Sequence, residues 1–341
     1  MTVTAVTYAL DLNRDPLRVL ESTRLVLQAA QHVRIVPEQI GALAAALAQA
    51  TPPPADWAGD GHPLGANDLQ RANLVLVVDA LNFCFWSVPG GRAPRWAVTD
   101  GGQTFDGYWA LVAALRRAVA AGRPLWDAEY LATLSEADVA EILAGDPGTE
   151  QIPLLRARQQ HLNELGEALL AYWGGSFLTA IEAAHHSAAA LVREVLRTFP
   201  SFRDTAPWRG HDIRFYKRAQ ILIADLHAAF NGSGPGTFHD MEHLTAFADY
   251  KLPQLLRHHG VLDYAPALAH AVAHYQLVPP ESDEEIEIRA TTIWAVELLR
   301  QALADLGRPS PAYQIDWALW HTAQTLPPET EPYHRTLTVF Y

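Results

Sequence analysis

The side chains best suited to hydrolytic chemistry are concentrated in Phe238–Leu256, FHDMEHLTAFADYKLPQLL. The first half of this segment holds His239, Asp240 and His243. Two histidines four residues apart on a helix can face one metal ion, an arrangement that suits metal-assisted hydrolysis. Among 15 histidines such a pair also arises by coincidence, and the three residues equally fit a solvated helix start. The second half holds Asp249, flanked by Phe247 and Tyr250 and followed by Lys251 and Pro253. An aspartate just before a helix can cap it. Held at a pocket wall, the same carboxylate can stabilise an oxocarbenium-like transition state or attack the sugar carbon, as cleavage of a glycosidic C–N bond requires.

Three further clusters carry polar groups beside aromatics. Lys217 and Arg218 follow Phe215 and Tyr216. Adjacent bases are commonly solvated, but beside aromatics in an acidic chain they can bind a phosphate group. In Ile315–His321, IDWALWH, Asp316 and Trp320 are one helical turn apart, so a carboxylate and an indole can face the same way. An N-cap followed by core aromatics is the other reading of that string. Glu285, Glu287 and Arg289 read as salt-bridging residues rather than a site. His62, in Gly61-His62-Pro63, is a loop histidine to which spacing assigns no partner.

The elements that must position these groups are mostly helices. Leu162, Leu165, Leu169 and Tyr172 recur at helical spacing, and Gly174-Gly175 supplies a stop. A second apolar stripe, Ile181, Ala184, Ala188, Leu191 and Val195, runs on to Pro200. A third helix reads through Phe215, Ala219, Leu222, Leu226 and Phe230 to Asn231-Gly232. A fourth covers roughly Asp283–Leu306, with acids in the first turn where the helix dipole favours them. Asn73–Trp86, rich in β-branched and aromatic residues, reads as a short buried strand or a packed loop. Arg95–Thr99 and Gln103–Phe105 about Asp100-Gly101-Gly102 read as a hairpin, and Pro52-Pro53-Pro54 as a stiff linker. The expected fold is all-α with a small β insertion near residues 75–105.

Composition narrows the field. The chain has 341 residues, 49% hydrophobic and 18% charged, which suits one large helical unit over residues 1–341, or two parts, 1–150 and 151–341. A formal charge of −13 disfavours a polyanionic partner and favours a small-molecule substrate. Cys84 is the only cysteine, so there is no internal disulfide framework, and a reducing, cytoplasmic setting is expected. Residues 1–12 lack a basic start and a cleavage site, and no apolar run is long enough to span a bilayer.

Read in order, these segments resemble the queuosine salvage family. The resemblance is carried by Asp79–Ser87 (DALNFCFWS), Gly107–Leu111 (GYWAL), Gly174–Phe177 and Phe202-Arg203-Asp204. It continues through Phe215–Leu222 (FYKRAQIL), Leu244–Gln254 (LTAFADYKLPQ), Glu287-Ile288-Arg289 and Asp316–Trp320 (DWALW). It implies a fold similar to the helix-hairpin-helix DNA glycosylases, and a metal-free, cofactor-free hydrolysis of queuosine 5′-monophosphate that releases queuine. On it, Asp249 is the candidate nucleophile or charge stabiliser, without ceasing to be a helix cap. Asp316 is the first candidate to pair with the base or its amine, with Phe247 and Trp317 stacking on the flat ring and His62 and His321 as further hydrogen-bonding groups. Lys217, Arg218 or Lys251 would take the 5′-phosphate, in a monomer or weak oligomer. Cys84 stands where family members often have serine, and His321 where some relatives have an acid.

Three rivals stand beside this expectation. A DNA glycosylase shares the implied fold, but the acidic charge and the lack of a basic hairpin argue against it. A metal-dependent phosphohydrolase of the HD type would use His239, Asp240 and His243. A non-catalytic protein that binds a modified nucleoside would need the same aromatic and carboxylate lining.

Overall fold

The computed structural model describes residues 14–49, 57, 59, 61–63, 65–87 and 93–341. The proline linker and residues 1–12 lie outside them. The chain divides into two compact units interleaved along the sequence. The first comprises Met1–Pro54, Asp204–Lys217 and Met241–Leu337, and the second Ala55–Arg203, Arg218–Asp240 and Thr338–Tyr341. Residues 150 and 151 both fall in the second unit.

In the first unit, the helix Asp283–Asp305 is the central element. It is buried on nearly every side, with Ile286, Ile288, Ile293, Trp294, Val296 and Leu299 inaccessible to solvent. Ser282 caps its start by accepting the Glu285 amide, and three acids occupy its first turn. The helices Val19–Ala29, Pro37–Gln49, Lys251–His258 and Ala312–Ala323 pack against it. Strand Val33–Ile35 pairs antiparallel with Leu262–Tyr264, and Thr205–Trp208 pairs with His211–Arg214 through a tight turn at Arg209-Gly210.

Polar groups on the central helix tie these parts to it. Glu287 is fully buried, and its carboxylate accepts the backbone N–H groups of Gln31, His32 and Val33 at 2.5–3.1 Å. The Trp294 indole donates to the Thr23 hydroxyl at 3.0 Å.

The second unit is built on the helices Asp68–Ala80, Gly107–Ala120, Leu155–Trp173, Phe177–Ala183, Ala188–Thr198 and most of Lys217–Ala229. Leu155–Trp173 ends at Gly174 in the left-handed conformation, as the glycine pair predicts. At Gly166 the same helix lies so close to Ala128–Ala132 that a Cβ would overlap the backbone of Ala128 and Ala132. The hairpin expected near residue 100 forms as Ala97–Asp100 with Gln103–Asp106. The molecule is therefore mostly helical with small antiparallel sheets. Among the described residues no helix is long and apolar enough to cross a membrane.

Two elements differ from their sequence pattern. Asn73–Trp86 is neither strand nor wholly loop: its first part belongs to the helix Asp68–Ala80, capped by Asn67, and the rest is irregular. The helix is buried on all sides from Ala72 to Ala80, so no alternation marks it as helical. Asn73 is satisfied there by the carbonyls of Trp126 and Gly175 and the amide of Phe177. The irregular stretch is held by Arg158, which donates to the carbonyls of Leu81, Phe83 and Cys84. The stripe from Ile181 to Val195 is two helices, broken where His185 and His186 are left-handed. Ser187 and Asp240 recap the chain there: Asp240 accepts the Ser187 hydroxyl and the Ala188 amide.

Replacing Glu287 by Gln leaves one acceptor for three amides and sets an N–H₂ against an N–H donor. The expected loss is about 1–3 kcal/mol of unfolding free energy, read by urea denaturation.

Candidate active site

Asp249 ends the irregular segment that follows the 3-10 turn Met241–His243 and leads into the helix Lys251–His258. Its Oδ1 accepts the backbone N–H groups of Lys251 at 2.8 Å and Leu252 at 2.9 Å. The aspartate is thus a helix cap, and it is only 8% exposed. Burial raises its pKa above the ordinary aspartate range, while the Lys217 charge, the two amides and the Lys251 charge oppose the rise.

Asp316 lies on the helix Ala312–Ala323 and is 3% exposed. Its Oδ2 accepts the Phe247 N–H at 2.7 Å, which fixes the chain two residues before Asp249. Burial pushes the Asp316 pKa well above the usual range, and the neighbouring Asp249 charge pushes it further. The Phe247 amide and Lys217 counteract this only in part. Burial thus drives both carboxyls toward the neutral form, Asp316 the harder, while Lys217 and two backbone amides favour the ionised form of Asp249.

The first unit also contains the other candidates on these segments. Phe247 is buried, and Trp317 is half-buried, edge-on to Tyr313 with ring centres 5.4 Å apart. Lys251 is half-buried, with its ammonium 5.2 Å from the centre of the Tyr333 ring. His321 packs edge-on against Trp320. Tyr333, which nothing in the spacing singles out, also lies against Tyr250 with ring centres 4.7 Å apart.

His62 and Arg218 belong to the second unit. The His62 ring stacks on Trp57, with Nδ1 against the Trp57 carbonyl and Nε2 2.8 Å from the Tyr108 hydroxyl. Burial lowers its pKa to about 4, so the ring is neutral near pH 7. Arg218 is fully buried, donates to the carbonyls of Ala80 and Ser201, and lies over the Phe83 and Phe202 rings.

The His239–His243 segment has no α-helix to place its histidines one turn apart: only Met241–His243 is helical, as a single 3-10 turn. Asp240 serves as the helix cap described above. Among the described residues no cluster of three or more His, Cys, Asp or Glu could hold a metal ion.

Sequence spacing gave no sign of the link between Asp204 and Arg289, 85 residues apart. Both guanidinium ends of Arg289 bond the Asp204 carboxylate, at 2.8 and 2.6 Å. Asp204 in turn accepts the Lys217 amide at 3.0 Å.

Comparison with known proteins agrees with this arrangement of segments. A family model described as queuosine salvage protein matches residues 62–341. A Sphaerobacter thermophilus protein named queuosine 5′-phosphate N-glycosylase/hydrolase is 50% identical over 329 residues, 96% of this chain and 98% of its own. A Mus musculus protein of the same name is 37% identical over 341 residues, covering 96% of this chain and 99% of the relative. One from Schizosaccharomyces pombe is 33% identical over 278 residues, 79% of this chain and 80% of its own. With its matched region reaching from His62 to Tyr341 and relatives alike over nearly their whole length, the chain belongs to the queuosine salvage protein family.

Proposed function

We propose that this chain hydrolyses the N-glycosidic bond of queuosine 5′-monophosphate, giving queuine and ribose 5-phosphate. The observation that carries the reading is the buried Asp249 carboxyl, bonded to two amides at the start of a helix with Lys217 favouring its charge, beside Asp316, which burial drives toward its neutral form. The names of relatives up to 50% identical supply the substrate.

The chemistry follows from what the leaving group lacks. Queuine is a 7-deazaguanine and has no ring nitrogen at position 7 to protonate, so catalysis falls on the sugar and on the guanine-like edge. As the bond from C1′ to the base nitrogen breaks, its electron pair leaves with the base and positive charge grows on the ribose. Asp249 faces that charge as a carboxylate in a site from which water is largely excluded, where its field is strong. Water then adds its oxygen to C1′, and its proton completes the departing base. The neutral Asp316 acid has a donor for the carbonyl of the guanine-like edge, while its other oxygen keeps the Phe247 amide in place. Phe247 and Trp317 supply flat apolar faces for the base.

Lys217 serves Asp249 electrostatically, which leaves the more exposed Lys251 as the first choice for the 5′-phosphate. His321, on the same helix as Asp316, is a secondary substrate contact. The enzyme acts on the free nucleotide rather than on nucleic acid, as its charge of −13 favours, and works in the cytoplasm as a monomer or weak oligomer.

The deciding experiment is incubation with queuosine 5′-monophosphate, with and without a chelator, followed by mass spectrometry. Wild type releases queuine in both, and Asp249→Asn is slower by at least about 100-fold. Failure of the wild type to release base would return the protein to the class of nucleoside binders, and chelator-sensitive release would point to metal-assisted hydrolysis.

The pH profile of kcat/KM tests this division of roles between the two carboxyls. Activity falls on the acid side as Asp249 protonates, at a pH above the ordinary aspartate value of about 4, and on the alkaline side as Asp316 loses its proton. Asp316→Asn cannot ionise, so it removes that alkaline limb and keeps the acid one; an unchanged profile would separate Asp316 from the chemistry. For Lys251→Ala the expectation is a KM for the monophosphate raised roughly 10-fold, with the nucleoside unaffected. Steady-state kinetics on both substrates reads this difference.

A further inference from the structure

Lys217 and Asp249 come to the site from different segments, and one buried guanidinium reaches both of those segments. Arg289, on the helix Asp283–Asp305, is 2% exposed. Its two terminal nitrogens hold the Asp204 carboxylate at 2.8 and 2.6 Å, and its Nε donates to the Ala248 carbonyl at 3.3 Å. Ala248 immediately precedes Asp249. Asp204 passes the constraint on: its Oδ2 accepts the Lys217 amide, and its backbone carbonyl accepts the amides of Phe215 and Tyr216, each at 3.1 Å. Tyr216 is left-handed, so the chain turns sharply into Lys217 under this grip. The face of the guanidinium lies 3.9 Å from the centre of the Phe215 ring, and Glu285 balances it one turn earlier on the helix at 3.6 Å. His334 stays neutral nearby: burial and the charges of Arg289 and Arg257 lower its pKa to about 3.

We infer that Arg289 is a positioning residue for the reaction, setting Lys217 against Asp249 through Asp204 and the Ala248 carbonyl. The inference rests on the reading of Asp249 and Lys217 given under the proposed function. A planar guanidinium has donors fixed in a fork, and here they meet two acceptors on two segments at once. A lysine keeps the charge but cannot hold both oxygens of Asp204 and the Ala248 carbonyl in the same geometry. Ion pairing for stability alone would ask only for the charge.

The test compares Arg289→Lys with Glu287→Gln, a change two residues away on the same helix that touches only the amides of Gln31–Val33. Base release from queuosine 5′-monophosphate and thermal midpoint are measured for both. Arg289→Lys lowers kcat about 10- to 100-fold with KM within about 3-fold, whereas Glu287→Gln loses thermal stability and keeps kcat. In a Lys217→Ala background, under enzyme excess, Arg289→Lys adds much less than it costs in the wild type, so the double variant's total loss falls well short of the product of the two single losses. Should Arg289→Lys not fold, Asp204→Asn is read in the same way and shows the same kcat-selective loss. A kcat no lower than that of Glu287→Gln, losses that multiply, or an unimpaired Asp204→Asn would each reduce Arg289 to a structural strut. Wild-type inactivity would instead overturn the proposed function, so the two failures are distinguishable.

Discussion

Two carboxyl groups buried near each other oppose each other's ionisation, and the candidate site is organised around which of them is the better supported as an anion. Desolvation alone would neutralise both Asp249 and Asp316. What separates them is their partners. Asp249 accepts two amides at a helix start and feels two lysines, whereas Asp316 accepts one amide and feels Lys217 together with the opposing charge of Asp249. A hydrolase that must stabilise a cation while assisting a poor leaving group needs this division, one anion and one neutral acid. The arrangement depends on backbone as much as on side chains, because three of the five groups that favour the ionised forms are the amides of Phe247, Lys251 and Leu252, set by where the chain bends into a helix and by the segment before it.

That backbone is held from one direction. The helix Asp283–Asp305 presents Glu285, Glu287 and Arg289 to the interior, all but inaccessible to solvent. Buried charges at such positions are costly unless every donor and acceptor is met. They are met here by separate parts of the first unit: Glu287 by the start of strand Val33–Ile35, Arg289 by Asp204 and the Ala248 carbonyl. The apolar residues of the helix supply the burial, but they would tolerate a small rotation or slide. The bidentate Arg289–Asp204 pair does not, since both N–H···O bonds lengthen at once when either segment moves.

Much of this was legible from the sequence where the information is local. The acids and Ser282 announce the start of the central helix, Gly174 announces the end of Leu155–Trp173, and Asp249 before Lys251 announces a capped helix. The helix Asp68–Ala80 was not legible, because a segment buried all round has no polar face to set a period. The break at His185-His186 was hidden by an apolar stripe that stays in phase across it, and its cause, Asp240, is more than 50 residues away. The same distance problem conceals the polar network. Nothing in the string Glu287-Ile288-Arg289 says that one acid will meet amides near residue 32 and that the arginine will meet Asp204. Salt bridging was the right chemistry to expect of Glu285 and Arg289, whereas Glu287 meets backbone amides instead, and these partners are set only when the chain folds.

Capping and the catalysis proposed for Asp249 could be thought to compete for one carboxylate, yet the geometry lets them cooperate. Both cap bonds fall on Oδ1, from the amides of Lys251 and Leu252. Oδ2 takes no part in the cap, so in the proposed mechanism the oxygen that would meet the developing charge is not the one that holds the helix. The cap fixes the carboxylate plane, and the positive end of the helix dipole lies against it, lowering the cost of keeping it ionised below the surface. A more mobile aspartate would escape some of this burial, but it would also lose the amides that resist its protonation. The first turn of the Lys251–His258 helix therefore contributes to the site in two ways: it orients the carboxylate, and its amides favour the ionised form of Asp249 over that of Asp316.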